Sequence, residues 1–245
     1  MTSNFPQMLR NSPLREVIFE LRFIPSQPAA GDLLPGLLYS ALQKDYSDMM
    51  TLPVATVPRQ IRNQNPDLKY LASHRFSSGS HSVQIGDHSV LLQTTEYPGW
   101  SEFKNKVVTL LDALKKTEIV KQVERFSFKY INLIAASESE RQLQFLKVRV
   151  ELPGRAPNEK GFLLREESIE GKFITVTQVA PNATAKVSTL AHEISGLLID
   201  VDTIRQVGNE FWTDHVTLLE EGHAIAKKNF FSLLTEATLQ KLDPR

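Results

Sequence analysis

Glu16, Ile18, Glu20 and Arg22 stand at alternate positions in one short run of the chain. Side chains two apart on a strand share a face, so two carboxylates and a guanidinium line up in one row. Arg125 and Lys129 make a second row, and Arg149 with Glu151 and Arg165 with Glu167 make two more. If such faces curl together they form a charged groove, in which arginines grip a phosphorylated ligand and carboxylates hold a metal. Glu16, Glu20, Arg22, Arg125, Lys129 and Arg149 are the candidate ligand-binding residues on that view. The plainer view is a wet face of antiparallel sheet, where alternating charges aid solubility and cross-strand pairing.

A different signal is the run Glu96-Tyr97-Pro98-Gly99-Trp100. Two aromatics bracket a Pro-Gly turn ahead of a helix. Tyr97 and Trp100 are candidate partner-binding residues, since tyrosine and tryptophan dominate binding hot spots. The competing role is core packing at the helix entry.

Other familiar chemistry is missing from the sequence. Neither Gly-x-x-x-x-Gly-Lys-Ser/Thr nor Gly-x-Gly-x-x-Gly occurs, so no P-loop or Rossmann turn is present. The pair His192-Glu193 starts like a zincin helix, but Gly196 stands where the second histidine is required. His74, His81 and His88 are evenly spaced yet fall in unlike places, strand and turns, and regular spacing is not ligand convergence. His215 and His223 are too far apart on one helix to bind an ion by themselves. Asp200 and Asp202 share a strand face and can hold a hard cation, or can simply precede a loop. No Gly-x-Ser-x-Gly elbow appears. Neither a metal nor a cofactor is expected.

These residues need elements to position them. Alternation predicts a strand over 14–24, with Val17, Phe19, Leu21 and Phe23 on the oily side. A helix over 33–48 follows, with Asp32 as its cap. Residues 50–68 contain Pro53, Pro58 and Pro66 and read as loop. A meander comes next, "KYLASHRF", "HSVQI" and "HSVLLQTT", and then helix 101–116 with Phe103, Val107, Leu110, Leu111 and Leu114 on one face. Strands are expected at "VERFSFKYINLI", "FLKVRVEL", "FLLREES", "KFITVTQVA" and "GLLIDVD". One amphipathic helix over 210–242 closes the chain, with Trp212, Val216, Leu219, Ala226, Phe230 and Leu233 as its apolar face. The fold class is therefore α+β: mostly antiparallel sheet with amphipathic helices packed on one side, in two halves of similar outline. The division falls at 1–134 and 135–245, with loop 135–142 as the seam, the halves being tightly joined or parts of a single domain.

Bulk properties narrow the function. The 245 residues carry 28 basic and 28 acidic side chains, a formal charge of zero, which argues against a dedicated nucleic-acid binder. A local basic surface on helix 101–116, with Lys115, Lys116, Lys121 and Arg125, is the remaining route to such binding. No cysteine is present, which removes disulfides, thiolate metal sites and cysteine catalysis. The start of the chain has no signal-peptide core, and no run approaches the roughly 20 apolar residues of a membrane helix. A cytoplasmic protein is expected.

Two resemblances bear on function. The run Glu16-x-Ile18-x-Glu20-x-Arg22 is similar to the Glu-x-Glu-x-Lys strand of the triphosphate-tunnel enzymes, with isoleucine and arginine departing from that pattern. Over nearly the whole chain, "PLREVIFELRF", "YPGWSEF", "VERFSFKYIN", "LLIDVD" and "NFFSLLTEATL" resemble an uncharacterised, sporadically distributed prokaryotic family of soluble proteins of this length. That resemblance implies no active site; scattered occurrence is what accessory genes of defence or toxin–antitoxin systems show. Two functional readings follow. The first is a cytoplasmic, non-enzymatic binding protein that works as a dimer or on a protein partner. The second is an enzyme or sensor that binds a phosphorylated ligand or nucleotide in a charged cavity of strand faces.

Overall fold

The computed structural model describes residues 5–137, 141–155, 157–186 and 193–245. His192, and part of the polar turn expected around 137–142, lie outside them. The described residues form nine strands and five α-helices. The strands are β1 (Leu14–Pro25), β2 (Asp48–Thr51), β3 (Ala72–Ser78), β4 (His81–Gly86), β5 (Ser89–Thr94), β6 (Val120–Ala135), β7 (Leu164–Glu170), β8 (Phe173–Lys186) and β9 (Glu193–Gln206). The helices are α1 (Ala30–Leu42), α2 (Arg59–Gln64), α3 (Trp100–Lys116), α4 (Phe211–Leu233) and α5 (Glu236–Lys241). The strands hydrogen-bond in the order β2-β3-β4-β5-β1-β6-β9-β8-β7 as an antiparallel sheet, and the fold is α+β.

The chain divides into two compact units. One comprises Glu16–Phe128 and Ile204–Gly222; the other comprises Met1–Arg15, Lys129–Thr203 and His223–Arg245. These units do not follow the expected split at loop 135–142. Their boundaries fall inside β1, β6, β9 and α4.

In the Glu16–Phe128 unit, period two does the sorting. Val17, Phe19, Leu21 and Phe23 of β1 are fully buried, and Phe76, Val83, Ile85, Val90 and Leu92 from β3, β4 and β5 are buried with them. Phe103, Val107, Leu110, Leu111 and Leu114 are the buried stripe of α3, at the helical spacing of an amphipathic face. Register fixes which residues share the opposite face. Arg22 pairs with Ser89, Glu20 with Leu91 and Ile18 with Gln93. Gln84 then pairs with Leu91 and Ser82 with Gln93, and Arg75 pairs with Gln84. A one-residue slip would turn Arg22, Glu20, Gln93, Gln84 and Arg75 toward the core.

The 50–68 segment is more structured than loop. It holds β2, a 3-10 turn at Pro53–Thr56 and α2. A buried ion pair is the reason: Arg62 of α2 reaches Asp87 beyond the end of β4 with three N–H···O bonds of 2.7–3.0 Å. The third guanidinium nitrogen donates to the Val57 and Val54 carbonyls at 3.2 and 3.3 Å. Asp32 is not the cap of α1; the helix starts one turn earlier, and Asp32 in that turn pairs with Arg59.

In the other unit, β7 and β8 form the expected hairpin, and Gly171 turns it with φ of +60°. Such a value suits glycine, which has no Cβ to clash. "FLKVRVEL" is not a strand. Its first residues make a 3-10 turn and an isolated bridge, Leu146 to Leu234. The Lys147 amide donates to Leu233 and the Thr235 amide to Phe145. The segment's backbone is therefore committed to the end of a helix instead of a sheet ladder. The same contact splits the expected helix 210–242 in two, and Thr235 caps α5 by accepting from the Thr238 amide. Val216 does not belong to the buried face of α4, being 46% exposed.

Candidate functional site

A charged cluster on the polar face lies in the Glu16–Phe128 unit. Glu20 is its pivot. The same carboxylate oxygen, Oε2, accepts from Arg22 Nε at 2.9 Å and from Arg125 Nη2 at 2.7 Å. These side chains are half-hidden: Glu20 is 13% exposed, Arg125 18% and Arg22 27%. Charge-assisted bonds of this length are the strong class, so both guanidiniums are held in place.

A ring completes the cluster. The Arg22 guanidinium lies over Tyr70, 4.1 Å from the ring centre, and Lys69 Nζ lies 4.8 Å from it. The Tyr70 hydroxyl donates to Glu124 at 3.1 Å. His88 meets the ring edge-on at 6.3 Å. Burial lowers the His88 pKa, and the Lys69 charge lowers it further, against opposing effects that include Asp87 and Glu124. The net shift favours the neutral imidazole.

Glu16 sits in a separate hydrogen-bonded row. It accepts from Gln93, whose own carbonyl oxygen accepts from Gln84. One Glu16 oxygen is therefore occupied by an amide. Arg149 lies on the segment that did not become a strand; its side chain is 87% exposed and pairs with Glu151. Arg165 pairs with Glu167 on β7. Of the six sequence candidates, Glu20, Arg22 and Arg125 meet one another. Lys69 and Tyr70 join them without any sequence signal, because "KYLASHRF" reads as plain strand.

Lys129 belongs to the other unit. Its ammonium faces Asp200 at 3.4 Å and Asp202 at 3.7 Å. Gln178 also approaches Asp200, at 3.5 Å. The two aspartates thus share a lysine. Among the described residues no group of three or more His, Asp or Glu side chains is placed to hold a metal ion. Burial raises the Asp200 pKa, and Lys129 pulls it back down. A raised folded-state pKa means that folding favours the protonated acid. The stability this contributes is complete below the unfolded-state pKa and is lost as pH rises through the folded value. Asp200→Asn, which cannot ionise, is expected to gain stability relative to wild type over the pH interval that begins at the ordinary aspartate value of about 4 and extends upward. Thermal melts across that interval read the sign; a wild-type advantage that grows with pH would mean the Lys129 contact outweighs burial.

Tyr97 and Trp100 both have packing work. The Trp100 indole meets Phe128 edge-on at 5.4 Å and donates to Glu220 at 2.6 Å. Lys104 reaches the other Glu220 oxygen at 2.5 Å. Tyr97 packs on Phe103 at 5.8 Å. These contacts tie the start of α3 to the sheet and to α4. The histidines also sit apart: His74 beside Ser73, His81 beside Ser80, His215 against Phe211 and His223 bonded to Tyr130.

Two hollows, of about 270 and 370 Å³, run between α1 and α3 and share Leu42 and Thr109. Neither includes a residue of the Glu20 cluster. No helix among the described residues is long and apolar enough to cross a membrane. Searches against protein-family models and against curated proteins find no match for this chain.

Proposed function

We propose that this chain is a cytoplasmic binding protein and not a catalyst, and that it engages its partner through the polar sheet face of the Glu16–Phe128 unit. One observation carries the reading: Glu20 holds two guanidiniums at once. Arg22 and Arg125 are thereby fixed before any partner arrives, so little side-chain freedom is lost on binding. Fixed charge of this kind sets partner choice and speeds encounter. The partner is another polypeptide or a second copy of this chain, and it presents an anionic group to the arginines. The likeness to a scattered prokaryotic family adds a setting, an accessory role in a defence or toxin–antitoxin system. The same guanidinium pair also favours a second reading, an enzyme or sensor for a phosphorylated ligand or nucleotide. That reading expects further cations around a closed cavity, and Arg149 is turned to solvent beside Glu151.

Native mass spectrometry of the protein purified from its own host, without chelator, separates these readings. The expected result is a complex of defined stoichiometry that Arg22→Ala combined with Arg125→Ala releases. A monomer that retains a small anion would transfer the assignment to the second reading. A complex indifferent to both substitutions, or a bare monomer, would remove this face from the account.

A further inference from the structure

We infer that the anionic group received by this face is a phosphate, held by Arg22, Arg125 and Lys69 beside the Tyr70 ring. The inference rests on the binding-face reading above and narrows it to one ligand chemistry.

The argument starts from the donors left over. Arg22 spends only Nε on Glu20, and Arg125 spends only Nη2. Among the described residues the two Nη groups of Arg22 and the Nη1 of Arg125 have no hydrogen-bond partner, and Lys69 forms no ion pair. These N–H groups are more than the two oxygens of a carboxylate can use. A phosphate brings three strong acceptor oxygens and suits the guanidinium fork.

Charge points the same way. Three cations, Lys69, Arg22 and Arg125, meet two carboxylates, Glu20 and Glu124, and Glu124 already accepts the Tyr70 hydroxyl. The cluster therefore carries one excess positive charge on a chain whose total is zero. Half-burial of the arginines strengthens the attraction relative to bulk water. Arg22 is pre-set by Tyr70 below and Glu20 beside it, which leaves its outer edge as the contact. The ring itself is already taken by two cations, so the site is shaped for the phosphate and not for stacking a nucleobase.

Calorimetric titration of the full chain with inorganic pyrophosphate, and with succinate as the carboxylate control, tests this. Pyrophosphate is expected to bind, with succinate weaker by about tenfold or more. Lys69→Ala and Arg22→Lys are each expected to weaken pyrophosphate about tenfold, the loss of one charge-assisted contact. Neither substitution removes a core side chain, so unaltered melting of the free variants guards against misfolding as the cause. A second readout is the His88 titration seen by NMR: an anion beside Lys69 offsets the charge that lowers the His88 pKa, so the pKa should rise on pyrophosphate binding. If succinate binds as well as pyrophosphate, or if pyrophosphate binding ignores both variants, the phosphate inference is wrong. The binding-face reading then survives only if Arg22→Ala with Arg125→Ala still releases the host partner. Phosphatase treatment of a captured partner assigns the source: release places the phosphate on the partner, and retention that pyrophosphate disrupts marks it as a free ligand.

Discussion

Arg62→Ala is expected to destabilise the fold by about 3–5 kcal/mol, the cost of stranding a buried charge. The side chains of Arg62 and Asp87 are 9% and 6% exposed, and each is the main neutraliser of the other. Arg59 approaches Asp87 as well, but only at 3.7 Å, and it is already engaged by Asp32. Removing Arg62 therefore leaves a carboxylate buried with one distant cation, and takes a donor away from the carbonyls of Val54 and Val57. Denaturant unfolding at neutral pH measures the loss. The double replacement Arg62→Met with Asp87→Leu should recover most of it, because apolar groups of similar volume substitute well for buried pairs. A loss under about 1 kcal/mol for the single variant would mean that water reaches Asp87 and that the segment is held by other means.

Gly196→Ala carries the second large effect. A Cβ built at this position lies 2.0 Å from the Ile134 carbonyl oxygen and 2.8 Å from its carbon. Both obstacles are backbone atoms of β6, so no rotamer change relieves them. The expected cost is about 3 kcal/mol, the upper range for overpacking. Gly36→Ala is the control of opposite sign. Nothing lies within 4 Å of its Cβ position in α1, and alanine there should stabilise by about 0.5–1 kcal/mol. Equilibrium unfolding of both variants decides the matter; equal and small effects would show that β6 yields easily at Ile134. This also explains the failed zincin motif: position 196 is where β9 approaches β6, and a side chain of any size is refused.

Much of the fold was legible because hydrophobic periodicity is a local signal. The alternation of Val17, Phe19, Leu21 and Phe23, and the stripe from Phe103 to Leu114, each report burial directly. Contacts made across the chain are not local. "FLKVRVEL" alternates as a strand should, yet its hydrogen bonds go to the break after α4. Arg62 lies in a stretch punctuated by prolines, where a charge normally means solvent, and only Asp87 from a distant hairpin makes its burial tolerable. The candidate site divides along the same line. Glu20, Arg22 and Arg125 could be singled out by type and by strand face, but not that the one carboxylate would hold both guanidiniums. Tyr70 and Lys69 carried no pattern at all, and sequence spacing could not say that Arg149 would stay outside.

The outermost strand, β7, has a consequence for how the protein behaves in concentrated solution. Among the described residues, one side of β7 pairs with β8 and the other has no neighbour in the strand order. Ile169 on it is 76% exposed, and Leu163 just before it is 64% exposed. Arg165, Glu166, Glu167 and Glu170 surround these apolar groups, and charge along a free edge deters a second chain from adding to it. Such repulsion works over roughly a Debye length, about 10 Å in 0.1 M salt and about 3 Å in 1 M. Concentrated salt is thus predicted to bring chains together along β7 and to lower solubility, and dilute buffer is the condition in which the protein keeps best.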